Sequence, residues 1–252
     1  MAFALAKAVK KAKLAKSIIA SDVNEERLDF IKKELGINVT KDNRKVVKVS
    51  DIIFLAVKPQ VISDVLDDIK DTDKLVISIA AGVRLKALEE KLKKAKVVRV
   101  MPNTPCLVGE MAAGFAVGKK VTDKEIKTVE EILNSAGKAF YLKEDMLDAV
   151  TGLSGSGPAF VARLIEGFIE GGIKSGLNRD IASELALQTF LGTSKLLIES
   201  GMSPDELVRM VSSPGGTTVA GREVLENSDV KDILVRTVKR AAERSKELSK
   251  NI

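Results

Sequence analysis

Hydrophobic and polar positions follow two different rhythms along this chain. In the first half, unbroken apolar runs alternate with stretches of helical period. Residues 17–21 (SIIAS) read as a strand, and Glu25–Leu35 as a helix with Leu28, Ile31 and Leu35 on one face. Residues 51–57 (DIIFLAV), 75–81 (LVISIAA) and 97–101 are continuous apolar runs, with helical patterns between them at 61–69 and 85–92. Strands covered on both faces need no polar side, so these runs predict buried parallel strands of a doubly wound sheet. A further strand is predicted at 114–118 and a helix at 123–136.

From about residue 143 the period is almost wholly helical. Helices are predicted at 146–152, 158–176, Arg179–Ser200, 204–211, 219–227 and 230–249. The run 158–176 would be about 28 Å long. It is rich in Ala, Gly and Ile, and a helix apolar on most sides is buried. In so short a helical segment, that predicts burial against a second copy of the chain.

The beginning is unusual. Met1 opens directly into a helical pattern, and no G-x-G-x-x-G occurs anywhere. A dinucleotide-binding fold instead begins with a strand and a glycine-rich turn, and the helix that follows holds the pyrophosphate.

Composition narrows the chemistry. With 252 residues, 45% hydrophobic, the chain can form one large domain or two ordinary ones. The net charge is +6, but acids and bases interleave, aromatics are only 4% and Trp is absent. That argues against nucleic acid as a partner. The exception is 1–16, which carries Lys7, Lys10, Lys11, Lys13 and Lys16 without an acid and reads as a helix with a lysine-rich face rather than a membrane anchor. No histidine is present, which excludes Ser-His-Asp and Cys-His catalysis and histidine metal sites. The single cysteine, Cys106, rules out an intrachain disulfide, reads as structural, and makes the cytoplasm the expected compartment.

Four motifs carry the candidate chemistry. Residues 151–160 (TGLSGSGPAF) and 212–218 (SSPGGTT) place glycines and hydroxyls where apolar runs begin. Glycine lets the main chain approach a ligand closely, Pro158 suits a helix start, and such a helix end attracts carboxylate or phosphate. The plainer reading of the first is a helix start behind a flexible loop. Residues 56–59 (AVKP) and 101–105 (MPNTP) end two predicted strands. In this order and spacing the four resemble the motifs of pyrroline-5-carboxylate reductases, over nearly the whole chain.

That resemblance implies an α/β Rossmann-like N-terminal domain over 1–143, its first strand missing, and an all-α dimerisation and substrate domain over 144–252. It implies reduction of 1-pyrroline-5-carboxylate to L-proline, a small-molecule substrate, no metal, and a homodimer that can assemble into a decamer. NADP is the first choice of cofactor and NAD the second, because an acid such as Asp22 near the end of a second strand usually grips a ribose hydroxyl. The cofactor positions implied are Ser21, Asn43, Ala56, Val57, Lys58, Pro59, Ser78, Ala80, Ala81 and Asn103. The substrate positions implied are Glu144, Ser156, Gly157, Gly215, Gly216, Thr217 and Thr218. Thr218 is the catalytic candidate, its hydroxyl near the ring nitrogen. The main-chain N–H groups of 215–217 would meet the ring carboxylate.

The resemblance breaks at the start. The family has a strand and a turn like G-x-G-x-M before the first helix, and Met1 falls at that methionine. The expectation is a sequence that begins one strand and one turn late. Two internal strand edges would then lie unpaired unless strands around Ile18 and Ile53 pair across the gap. Two rivals stay open. One is a related small-acid NADP dehydrogenase, which would be expected to use a lysine where this chain reads Ser-Gly-Pro-Ala. The other is a cofactor-deficient helical dimer without activity.

Overall fold

A computed structural model describes residues 1–249. By packing, the chain forms two compact units. One is Met1–Pro158 with the stretch from Val238 onward, and the other is Ala159–Thr237.

The first unit is α/β. Its order is α1 (Ala2–Lys11), β1 (Ile19–Ser21), α2 (Glu25–Leu35), β2 (Asn38–Thr40), α3 (Asn43–Val49), β3 (Ile52–Leu55), α4 (Ile62–Ile69), β4 (Leu75–Ser78), α5 (Leu85–Lys91), β5 (Lys96–Met101), β6 (Met111–Val117), α6 (Asp123–Asn134), β7 (Gly137–Tyr141) and α7 (Leu147–Val150). The strands make two sheets, β1-β2 and β3-β4-β5-β6-β7. All neighbours run parallel except β5 and β6. The link 102–110 is shorter than the dozen or so residues a parallel crossover needs, so β6 returns antiparallel.

The two sheets meet at a break. Among the described residues β1 pairs only with β2, and β3 only with β4, so no pairing crosses from the region of Ile18 to that of Ile53. The burial pattern records the break. Every residue of β4 is buried, whereas Ile52 and Phe54 of β3 are only half-buried. Helix α1 holds the halves together. Ala4 and Leu5 are buried with Ile77, Val98 and Val100 of the larger sheet. Phe3 and Ala6 pack with Ile31, Ile18, Ala20 and Val39 around the smaller one. The Phe3 and Phe30 rings lie 5.2 Å apart, and the Lys10 ammonium donates to the Leu35 carbonyl at the end of α2.

Strand alternation sorts the larger sheet into two faces. Ile53, Leu55, Val76, Val97 and Ala116 share one cluster with Leu88 of α5 and Leu147 of α7. Ile77, Val98, Val100 and Phe115 share the other with α1 and with Val129 and Leu133 of α6.

The second unit is helical: α8 (Gly157–Lys174, its first two residues in the first unit), α9 (Arg179–Ser200), α10 (Pro204–Met210), α11 (Thr217–Glu226) and the start of α12 (Val230–Leu248). Asn178 accepts the Ile181 N–H to cap α9, and Ser203 with Glu206 forms a reciprocal cap on α10. The expected helix 146–152 is instead a 3-10 turn (Glu144–Met146), α7 and a π turn (Thr151–Gly155). No residue of α8 is buried within this chain, although Phe168 and Val161 are apolar and exposed. Among the described residues no helix is long and apolar enough to cross a membrane.

Candidate active site

In an open α/β sheet, ligands bind beyond the carboxyl ends of the strands. Behind β3, Ala56 and Val57 are half-buried, Lys58 is exposed, and Pro59 opens a 3-10 turn (Pro59–Val61). The Pro59 side chain lies outside the described residues. Behind β4, Ser78 is fully buried and its hydroxyl accepts the Ala80 N–H at 3.3 Å. Ala80 is buried, Ala81 is exposed, and Gly82 turns the chain at φ 79. At the end of β1, the Ser21 hydroxyl donates to Asn43 Oδ1 at 2.8 Å, and Asn43 Nδ2 donates to Asp68 at 3.0 Å. Asp22 turns away from this pair, its carboxylate accepting the Asn24 N–H at 3.0 Å.

Two of the four motifs come together in the first unit. Asn103 is buried, donates from Nδ2 to the Ser154 carbonyl at 3.1 Å and accepts the Ala112 N–H on Oδ1 at 3.0 Å. A Cβ on Gly155 would lie 2.5 Å from the Met101 methyl. MPNTP therefore braces the main chain of TGLSGSGPAF. That segment is not the flexible loop of the plainer reading: Thr151–Gly155 is a π turn, and Ser156 donates its N–H to the Thr151 carbonyl at 2.8 Å. Such turns inside helices gather at functional sites. Ser156 and Gly157 follow it, half-buried, and no neighbour lies within 4 Å of a Cβ built on Gly157.

Glu144 sits at the start of the same segment. Its Oε1 accepts from Arg99 at 2.9 Å and from the Leu85 N–H at 2.7 Å. One helical turn later, Asp148 is buried and accepts from Arg84 at 3.0 Å and from the Ser245 hydroxyl of α12 at 2.7 Å. Sequence reasoning passed over Arg84, Arg99, Asp148 and Ser245. The signals were present: a charge inside the apolar strand KVVRVM, and two carboxylates four residues apart, on one helical face.

In the second unit SSPGGTT turns through Gly215, at φ 69, and Gly216 caps α11. The Gly216 N–H is held by the Ser213 carbonyl at 2.9 Å, so it is not free for a ligand. The N–H groups of Thr217 and Thr218 open the helix and have no acceptor within it. Both threonines are exposed. Arg222 donates to the Ser212 hydroxyl at 3.2 Å, tying the loop to α11. Cys106 is buried and its thiol is pushed up by desolvation, as an inert structural cysteine should be.

A largely parallel sheet with small residues at its strand ends, followed by helices carrying a second glycine-hydroxyl turn, is the plan of a dinucleotide-dependent oxidoreductase. Comparison makes it specific. Residues 144–248 match the family model for pyrroline-5-carboxylate reductase dimerisation, and residues 1–82 match that for coenzyme F420-dependent NADP oxidoreductases. The pyrroline-5-carboxylate reductase of Methanosarcina acetivorans is 47% identical over 93% of this chain and 88% of its own length. That of Arabidopsis thaliana is 38% identical over 94% and 91%. The solved reductase of Coxiella burnetii superposes with TM-score 0.93 at 32% identity, over 98% of this chain and 94% of its own. The Plasmodium falciparum enzyme, solved with NADP bound, superposes with TM-score 0.85 at 35% identity, over 98% and 93%. The chain belongs to the pyrroline-5-carboxylate reductase family.

Proposed function

We propose that this chain reduces 1-pyrroline-5-carboxylate to L-proline with NADPH. The carrying observation is the turn at Gly215–Gly216, which leaves Thr217 and Thr218 exposed at an α-helix start with main-chain donors unmet. Such an end favours a carboxylate, and the substrate ring carries one. Reduction of a C=N bond needs a hydride on carbon and a proton on nitrogen; the bound dinucleotide supplies the hydride. The Thr217 and Thr218 N–H groups orient the ring carboxylate, and the Thr218 hydroxyl holds the ring nitrogen by a hydrogen bond. A hydroxyl is a weak acid, so the imine enters largely protonated from water and Thr218 fixes its direction.

The dinucleotide fits the strand ends. Lys58 and Ala81 are exposed there, and Ser21 with Asn43 forms a small polar group after β1. NADP is favoured over NAD by the match of residues 1–82 to NADP oxidoreductases and by the similar Plasmodium falciparum enzyme solved with NADP bound. Ser78, Ala80 and Asn103 are turned inward and act by shaping these turns. We assign dinucleotide binding to 1–143 and substrate binding and dimerisation to 144–252. A homodimer, assembled into a decamer in its larger form, working in the cytoplasm, agrees with the exposed apolar helices and the lone buried cysteine.

Thr218→Ala tests the reading. It removes one exposed hydroxyl and no core volume, so turnover should fall at least tenfold while the melting temperature stays within about two degrees. Turnover like that of the unaltered protein would remove Thr218 from the mechanism.

A further inference from the structure

The carboxylates of Glu144, half-buried, and Asp148, buried, have no evident reason to be where they are if they serve only stability. Burying a charge is costly, and an apolar pair of similar shape is often as good. Both reach the same short stretch of main chain. Glu144 Oε1 takes the Leu85 N–H at 2.7 Å, the first residue of α5, whose N-cap Arg84 makes no side-chain cap of its own. Asp148 takes the Arg84 guanidinium at 3.0 Å. Each carboxylate is fixed from behind by a second element. Arg99, itself buried in the centre of β5, donates to Glu144 at 2.9 Å, and Ser245 of α12 donates to Asp148 at 2.7 Å. Leu147 between them is fully buried, and a Cβ on Gly114 of β6 would lie 3.1 Å from it. The turn 144–148 is therefore seated on the sheet and cannot drift.

What it grips is the turn 79–84, which leaves the carboxyl end of β4 through Gly82 in the left-handed region. A parallel sheet binds its nucleotide at that edge. We propose that Glu144 and Asp148 are positioning residues for the dinucleotide: a two-point clasp that fixes the turn 79–84 in the shape the cofactor meets. The inference rests on the reductase reading above. It assigns Glu144 to the cofactor turn instead of to the substrate ring, and it gives Asp148, Arg84, Arg99 and Ser245 roles that their sequence positions alone do not suggest.

The clasp predicts a particular split in measurements on residues 1–252. In Glu144→Gln and Asp148→Asn, side-chain shape is kept and charge is lost. Amide hydrogen exchange over 79–85 should speed up at least tenfold, with Leu85 most affected in Glu144→Gln. The dissociation constant for NADPH should rise about tenfold. The KM for pyrroline-5-carboxylate at saturating NADPH should move less than twofold. Arg84→Ala combined with Asp148→Asn should be no worse than the worse single change, because both remove one interaction. Variants that exchange faster yet bind NADPH as tightly as the unaltered protein would overturn the clasp and leave a purely structural network. A rise confined to the substrate KM would overturn it in favour of a Glu144 contact with substrate. Unaltered protein that binds no NADPH at all would overturn the reductase reading itself, and faster exchange over 79–85 in the variants would then still show the contact without its purpose. Should both single variants fail to fold, Ser245→Ala, which loosens only the rear of Asp148, gives the same readouts.

Discussion

At the scale of single residues, Gly152 is held by a close contact between helices. The π turn brings its main chain against α12, and a Cβ there would sit 2.6 Å from the Val238 carbonyl oxygen and 2.8 Å from the Ala242 nitrogen. Neither atom belongs to a flexible side chain, so helix and turn must separate if a methyl is added. Overpacking of this kind costs about 2 kcal/mol. Gly152→Ala should lower the unfolding free energy by that amount in urea titration. Gly157→Ala is the control, since a Cβ there meets nothing within 4 Å. Equal losses in the two variants would show that glycine flexibility, not the α12 contact, sets the cost. The same reasoning explains why SGSG is a poor flexible loop here. Gly155 answers to crowding by the Met101 methyl, and Gly152 just before it to α12, whereas Gly157 stands clear of neighbours.

At the scale of elements, α9 was legible to the residue because its ends are written in local chemistry: Asn178 caps its start and Gly201, at φ 69, ends it. β2 and α3 were not legible. Asn38–Thr40 is three residues long with no apolar run, and NRKVVKV reads as a charged link until it lies against its neighbours. β7 (GKAFY) was lost for the same reason. The site motifs could be read individually, but their contacts could not, since Asn103 and Ser154 are fifty-one residues apart and nothing local couples them. The apolar period of 158–176 forms α8, none of whose described residues is buried. Phe168 is 55% exposed, packed edge-on to Phe190 at 5.1 Å, and Leu185, Leu187 and Leu191 of α9 are exposed too. Apolar surface of this extent marks an interface. Phe168→Asp should convert the assembly to monomer or aggregate in light scattering. A stable, active monomer would place the interface elsewhere.

At the scale of the whole molecule, the break between β1 and β3 governs what the nucleotide half can do. Among the described residues each of the two pairs on one edge only, and α1 spans the division with Ala4 and Leu5 on one side and Phe3 and Ala6 on the other. Among the described residues the two facing edges make no sheet pairing, and a strand seated between them would supply it. The start of α1 has no side-chain cap and no acid in its first turn, while Lys7, Lys10 and Lys11 follow. Lys10 and Lys11 lie in the last turn, so the helix start itself offers a pyrophosphate its unmet N–H groups and only Lys7 nearby. Exposed lysines alone, however, orient a ligand poorly at physiological salt. Convergent N–H groups from a glycine turn are what give direction. Comparing residues 1–252 with the same residues preceded by an apolar strand and a G-x-G-x turn should therefore show two effects of that segment. It should pair both open edges and raise the melting temperature by several degrees, because each kcal/mol gained shifts a chain of this size by about 2–4 °C. It should also tighten NADPH more than tenfold, roughly the 1.4 kcal/mol or more that one or two well-placed N–H donors to a charged group contribute. The two effects are separable. A strand without glycines should restore the melt and not the affinity. If residues 1–252 alone bind NADPH at micromolar levels and neither preceding segment changes melt or binding, then α1 and the flanking strands already close the nucleotide half, and the unpaired edges of the described residues carry no cost.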